Sequence, residues 1–528
     1  MTSVARTIGR RLKEAGLDYV FGVPGGEVLD LMQGFRQEGL RFILTRHETA
    51  AAFMADAHGY LTGKPGVCVA TLGPGATNLV TGVTHALLDR SPVIAISGQL
   101  PVDRLTSATH QAIDLLSVFR PIAKWVQRVT PGNAGEVADK AVMMATDERP
   151  GPVYLEVPSD VPKQEFTGAA LPTPAVRSEP VGISQGPFDL AVQAIARARK
   201  PLIVAGLGVK RHRANRELTA LAEKLQIPVI VTPKAKGVMP EDHDLFIGTI
   251  EMLGTGYLYD LIQSSDLLIA AGFDAVELDR PWPAPIPMVH IDVTPNVDRY
   301  FPSTWDLVGP IGQILSDIGT TLGPRSLWSP EVVEESRARL LQLARRSLDG
   351  LCPHQVLESI REVAPRETIL ATDVGAHKMA TGQFWKAFEP GRFLMSNGLS
   401  SMAYGVPAAL AAKLLNPDCP VMAVVGDGGF AMAMAELETA VREELPVVIT
   451  VMSDETLSLI KMGHERRGYD PFGVDFNRLD YIALAAGLGV KGIILENPGD
   501  CRDVYREALE SKVPVLVEAR INAAAYRI

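Results

Sequence analysis

The order of its apolar segments predicts an α/β protein made of three doubly wound parallel sheets. Short apolar runs that read as strands alternate with longer Ala-rich or amphipathic stretches along the whole chain, which calls for parallel sheets with helices on both faces. The alternation falls into three blocks, residues 1–165, 186–325 and 350–528. Between them lie Pro162–Pro187, a linker rich in Pro, Gly, Ser and Thr, and a charged helical connection around Gly323–Pro353. A chain of 528 residues, 47% of them hydrophobic, can bury three cores of ordinary domain size.

In the first block strands are expected at Tyr19–Val23, Phe42–Leu44, Val67–Thr71, Val93–Ser97 and Val153–Val157. In the second they are expected at Leu202–Ala205, Val229–Thr232, Leu267–Ala271 and Met288–Ile291. In the third they fall near Thr368–Ala371, Val421–Val425, Val447–Met452 and Val515–Glu518. Near-continuous apolar runs of this kind are the mark of strands covered on both faces. The Ala-rich stretch Ala50–His58 is one of the intervening helices.

The formal net charge of −10 gives no electrostatic drive toward nucleic acid or an anionic membrane. Apolar runs such as Val421–Val425 are far too short to cross a bilayer. Ser3–Gly16 reads as a basic helix rather than an apolar signal core, so a cytosolic protein is expected. Cys68, Cys352, Cys419 and Cys501 are scattered, without a CxxC or a neighbouring histidine. They read as reduced thiols rather than a zinc site or a disulfide framework.

The chemistry is written at strand ends. Val421–Ala431 reads VMAVVGDGGFA: an apolar run stops at Gly426-Asp427-Gly428-Gly429, and a helical pattern follows through Met434, Leu437, Ala440 and Val441. Glycines let backbone amides approach a phosphate, and a helix start favours negative charge. Asp427 alone would repel that phosphate; a bridging magnesium, which takes oxygen ligands, removes the conflict. By itself a Gly-Asp-Gly reads more readily as a plain tight turn. The next strand, Val447–Met452, then breaks at Ser453-Asp454-Glu455-Thr456. The 24 residues between Gly428 and Ser453 suffice for one helix and one strand, so Asp427 and Asp454 are expected to face one point from neighbouring strand ends. With the Thr456 carbonyl and two phosphate oxygens they nearly complete an octahedron.

Here the chain resembles the thiamine diphosphate enzymes, whose signature is Gly-Asp-Gly, about two dozen residues, then an Asn pair. Ser453-Asp454 departs from that pair, with an aspartate still able to give the metal an oxygen. The resemblance implies that Asp427, Asp454 and the Thr456 carbonyl bind magnesium, and that Gly426, Gly428 and Gly429 cradle the diphosphate. Further text is similar to the acetolactate synthase branch, in order and spacing: VFGVPGG at Val20–Gly26, TLGPGATN at Thr71–Asn78, THQAID at Thr109–Asp114 and RPGPVYLEVP at Arg149–Pro158. Glu48, in Arg46-His47-Glu48, alone reads as an exposed first-turn carboxylate favoured by the helix dipole. Within the resemblance it is the acid that hydrogen-bonds the cofactor's pyrimidine ring and drives its activation. Pro24, Gly25, Pro74 and Asn78 would line the pyrimidine end, and Gln111 would face substrate or cofactor. His110 reads equally as catalytic or structural. Asp373–Met379 and Asn397–Pro407 add three more: His377 at the diphosphate, the Ser400 carbonyl at the pyrimidine, and Met402 propping the two rings apart. Met402 alone would be core filler.

The resemblance implies a pyrimidine-binding domain, a middle domain and a diphosphate-binding domain. Its active sites form where Glu48 and Asp427 meet across a subunit interface, so a homodimer or homotetramer is expected. The reaction implied is decarboxylation of a 2-oxo acid, pyruvate first, and joining of the remaining unit to a second carbonyl, giving acetolactate. A sister activity (2-oxo acid decarboxylase, aldehyde lyase or sulfoacetaldehyde-type acetyltransferase) stays open, because Ile460–Tyr469, IKMGHERRGY, differs from the branch's usual acceptor stretch. Lys461, His464, Arg466 and Arg467 there read as an anion site or as a solvated basic face. A non-catalytic cofactor-binding subunit and a nicotinamide oxidoreductase built on Gly206 and Gly208 are the remaining alternatives. Biosynthetic members also carry a non-redox FAD on the middle domain with an Arg-Phe-Asp-Asp-Arg stretch. Gly272-Phe273-Asp274-Ala275-Val276-Glu277 stands here instead, so FAD is the less favoured expectation.

Overall fold

The structure, a computed structural model, describes residues 2–106, 109–169, 182, 184–282 and 284–526. It contains three sheets of six strands each, all parallel. The chain divides into two compact units. Residues 170–181 and 183 of the linker Pro162–Pro187 lie outside the described residues.

The first unit comprises residues 1–177, 399–417 and 432–446. Its sheet has β1 (Tyr19–Val23), β2 (Arg41–Leu44), β3 (Gly66–Ala70), β4 (Val93–Gln99), β5 (Trp125–Arg128) and β6 (Pro152–Pro158) in the order β2-β1-β3-β4-β6-β5. Every residue of β3, β4 and β6 is buried, as expected of strands with helices on both faces. The helix Glu48–Thr62 is buried almost throughout, and its alanines allow close packing against Gly405–Leu415, a helix drawn in from far down the chain.

The second unit, residues 178–398, 418–431 and 447–528, holds the other two sheets. One is formed by β7 (Pro201–Ala205), β8 (Val229–Val231), β9 (Phe246–Thr249), β10 (Leu267–Ala271), β11 (Met288–Asp292) and β12 (Trp305–Val308), ordered β12-β11-β10-β7-β8-β9. The other is formed by β13 (Ile369–Thr372), β14 (Phe393–Met395), β15 (Val421–Gly426), β16 (Val448–Ser453), β17 (Lys491–Leu495) and β18 (Val515–Arg520), ordered β14-β13-β15-β16-β18-β17. Its order repeats that of the first unit's sheet. Two buried lysines tie the two sheets together: Lys236 Nζ donates to Gly382 O at 2.9 Å while pairing with Glu241, and Lys234 Nζ donates to Met395 O at 3.2 Å.

The expected strands are present with small shifts at their ends. Five others, β5, β9, β12, β14 and β17, were not read from the sequence, and each lies at a sheet edge. β5, β12 and β17 are only partly buried, so they lack the solid apolar run of a central strand. β9 and β14 are buried but only four and three residues long. The expected helix after Gly426–Gly429 is also corrected. It begins at Asp427 itself, runs to Ala433, breaks, and resumes as Glu436–Arg442, so Gly428 and Gly429 form its first turn. The charged connection holds the helix Pro330–Ala344, started by the Ser329 side chain. No helix among the described residues is long and apolar enough to cross a membrane.

Candidate active site

In the first unit the expected residues collect at the carboxyl ends of adjacent strands, where ligands of open α/β sheets lie. Pro24 and Gly25 follow β1, Glu48 follows β2, the short helix Pro74–Asn78 follows β3, and Gln111 lies beyond β4. Glu48 is buried, and its Oε2 accepts from Asn78 Nδ2 at 3.0 Å. Thr49 Oγ1 donates to Asn78 O at 2.6 Å, so Asn78 is held from both ends. The other Glu48 oxygen, Oε1, lies beside Gly75, 3.3 Å from where a Cβ on that glycine would sit. Gly25 packs against Thr71, whose hydroxyl donates to Glu27 at 2.5 Å. Gln111 takes a left-handed backbone, φ 59°, and its side chain lies against Gly73. His110 is exposed. Ser400 also has a left-handed backbone, φ 55°, and Met402 is half-buried beside it.

In the second unit β15 and β16 are adjacent, with Gly426 paired to Met452, which brings Asp427 and Asp454 to the same sheet edge. Asp427 Oδ2 accepts from the amides of Asp454 at 3.0 Å and Glu455 at 2.7 Å, and its Oδ1 from the Gly428 amide at 2.8 Å. Burial holds the Asp427 carboxyl above its usual range. Asp454 is pushed up to about 6, by burial first; the Ser458 hydroxyl pulls the other way and the Asp427 charge adds to the rise. Asp427 is buried and Asp454 half-buried beside it, and the Asp427 charge raises Asp454, so the two carboxyl groups form an oxygen donor pair of the kind that suits a divalent cation. The Thr456 carbonyl accepts from the Ser458 amide at 2.9 Å. Gly429 presses on the Asp373 carboxylate so closely that any side chain there would displace it. Asp373 in turn holds His377, Oδ1 to Nε2 at 2.7 Å, with the ring against Gly426. The glycine turn is thus packed against an Asp–His pair.

Asp454 and Thr456 also line a cleft of about 690 Å³ with Lys461, Arg466, Arg346 and Tyr526. The basic stretch after β16 therefore divides. Lys461 and Arg466 reach the cleft, Lys461 also pairing with Asp475 at 3.1 Å. His464 instead stacks on Phe472, and Arg467 donates to Gly463 O at 3.0 Å.

Three family models match the chain in the order of its sheets. Residues 2–118 match the N-terminal TPP binding domain of thiamine pyrophosphate enzymes, 188–318 their central domain, and 373–519 their C-terminal TPP binding domain. A protein of Methanocaldococcus jannaschii, "Probable acetolactate synthase large subunit", is 34% identical, over 98% of this chain and 92% of its own. The acetolactate synthase large subunit of Parasynechococcus marenigrum is 32% identical, over 97% and 86%. The acetolactate synthase isozyme 1 large subunit of Escherichia coli is 31% identical, over 97% and 92%. The chain belongs to the thiamine pyrophosphate enzymes.

In this thiamine pyrophosphate enzyme the structure adds residues that no local motif announced. Glu436, 1% exposed, accepts from the backbone amides of Arg46 at 2.8 Å and His47 at 3.1 Å, and so fixes the turn that delivers Glu48. Tyr404 OH donates to Asp56 on the Glu48 helix at 3.0 Å and stacks on His85. Asp373, in the turn between β13 and the helix Ala376–Phe384, reaches forward to His377 in the first turn of that helix.

Proposed function

We propose that this enzyme condenses two molecules of pyruvate to acetolactate with release of carbon dioxide, using thiamine diphosphate and magnesium. The observation that carries the reading is likeness along nearly the whole chain to acetolactate synthase large subunits, joined to a buried Glu48 held by Asn78 and a glycine turn bearing Asp427. When bound, thiamine diphosphate supplies an electron sink beside the 2-oxo carbon. Glu48 holds a proton at the cofactor's pyrimidine nitrogen, while Asn78 fixes the carboxyl group's other oxygen. Pro24, Gly25 and Pro74 would bound the pyrimidine end, the Ser400 carbonyl would accept a hydrogen bond from it, and Met402 would support the cofactor's rings. Gly426, Gly428, Gly429 and His377 would hold the diphosphate. Asp427, Asp454 and the Thr456 carbonyl would hold the metal. Gln111 and His110 face the reacting substrate. Lys461 and Arg466 are placed to draw a carboxylate into the cleft.

The domains follow as 1–165 for the pyrimidine, 186–325 in the middle and 350–528 for the diphosphate. The protein works in the cytoplasm as a homodimer or homotetramer, Glu48 of one subunit serving the Asp427 turn of another. The test is product analysis with pyruvate, thiamine diphosphate and magnesium. Acetolactate is expected, with turnover falling about 10²- to 10³-fold in Glu48→Gln. Acetaldehyde without acetolactate would make the enzyme a simple decarboxylase and sink the condensation.

A further inference from the structure

Read from β9, the middle sheet runs β9-β8-β7-β10-β11-β12, that is 3-2-1-4-5-6 in chain order. This is the strand order of dinucleotide-binding sheets, whose ligand lies at the switch between the first and fourth strands. That switch is here between β7 and β10, and each of these strands ends in glycine, Gly206 after β7 and Gly272 after β10. The topology therefore offers a place for a flavin or other dinucleotide.

The place is taken. Glu277, 3% exposed, turns back from the loop after β10 into the switch point. Its carboxyl oxygens accept from the Leu207 amide at 3.0 and 3.2 Å, from Thr232 Oγ1 beyond β8 at 2.5 Å and from the Asp274 amide at 3.3 Å. Leu207 N–H is the donor that a strand–glycine–helix turn would aim at a pyrophosphate. Glu277 Oε1 lies 2.8 Å from where a Cβ on Gly206 would sit, so no room for a phosphate remains over that glycine. Gly208, the second glycine of the turn, is closed against the Gly272 backbone. These residues do not fit FAD.

The structure assigns Glu277 as a built-in substitute for the dinucleotide phosphate, so that the middle domain carries no flavin and uses its switch point as an internal brace. The same loop presents the Glu277 carbonyl to Asn397 Nδ2 at 2.9 Å. Asn397 opens the Asn397–Pro407 segment that leads to Ser400 and Met402. The loop that makes this hydrogen bond is closed by its own carboxyl group, with no ligand needed to shape it. The assignment rests on the middle sheet and is independent of the reaction proposed above.

The test is a titration of the purified full-length chain with FAD, followed by flavin fluorescence, and with ADP, followed by calorimetry. The wild type is expected to show no saturable binding of either. Glu277→Ala, which frees the Leu207 amide and the space over Gly206, is expected to bind ADP at least about tenfold more tightly than the wild type. Glu277→Gln, which still fills the space, is expected to stay closed. Saturable binding of FAD or ADP by the wild type overturns the assignment. So does a folded Glu277→Ala chain, judged by an unchanged far-ultraviolet circular dichroism spectrum, that gains no affinity for ADP. Should Glu277→Ala fail to fold, the wild-type titration decides alone.

Discussion

Glu277 shows what one side chain does when a fold leaves it no water. Burial pushes its carboxyl group up to about 7, against the pull of Thr232 and the Leu207 amide, and the Asp274 charge adds to the rise. The folded protein therefore binds this proton more tightly than the unfolded chain does. Above pH 7 folding bears the cost of a buried charge; as pH falls toward 4.5 the cost disappears, because the folded state takes up the proton first. The shift from 4.5 to about 7 corresponds to about 3 kcal/mol. In urea unfolding at pH 8 and at pH 5, the wild type is expected to gain up to about 3 kcal/mol over Glu277→Gln on acidification. Equal pH dependence in the two proteins would show that this carboxyl group is not the source. Glu277 closes the stretch GFDAVE, yet nothing in those six letters says that the last residue folds back onto a glycine turn 70 residues earlier.

At the scale of elements, the delivery of Glu48 depends on two pieces of chain. The strand Arg41–Leu44 and the helix Glu48–Thr62 set its position, with the His47 ring accepting from Thr49 N at 3.1 Å to start the helix. The turn between them is held by Glu436, 390 residues away from Arg46 in the chain. Glu436→Ala would leave two amides without their acceptor, at a cost of about 2–3 kcal/mol. It is expected to lower kcat about tenfold through a loosened Glu48 while the circular dichroism spectrum stays unchanged. A Glu436→Ala enzyme with wild-type kcat would show that the turn holds itself. The central strands and the Glu48 helix were legible because burial on both faces leaves continuous apolar text. Five of the six edge strands were not, since they are short or half-exposed and their identity comes from the neighbour they pair with; the sixth, β2, shows only through its apolar Phe42–Leu44.

At the scale of the molecule, two sheets share one strand order while the middle sheet follows another. The two alike are those matched by the TPP binding domains, and they carry the two halves of the proposed chemistry, Glu48 and Asp427. If the halves act from different subunits of a homodimer, two inactive variants must complement each other. Glu48→Gln and Asp427→Asn chains, each inactive alone, are to be unfolded, mixed equally and refolded. Random pairing makes half the dimers mixed, each with one intact site of two, so about a quarter of wild-type activity is expected. A mixture as inactive as its parents would place both residues' work within one subunit.

By itself the sequence determined what short-range chemistry can encode. Buried central strands show as apolar runs, phosphate turns show as glycines at strand ends, and Glu48, Asn78, Asp427 and Asp454 fall at those ends. Only the tertiary structure decided which groups answer them: Glu436 holding the turn before Glu48, Tyr404 against Asp56, Asp373 behind Gly429, and Glu277 filling the switch point of the middle sheet. The reason is physical. A strand end or a glycine turn is fixed by neighbours in the chain, whereas a buried polar group takes whichever partner the packed fold brings within hydrogen-bonding distance.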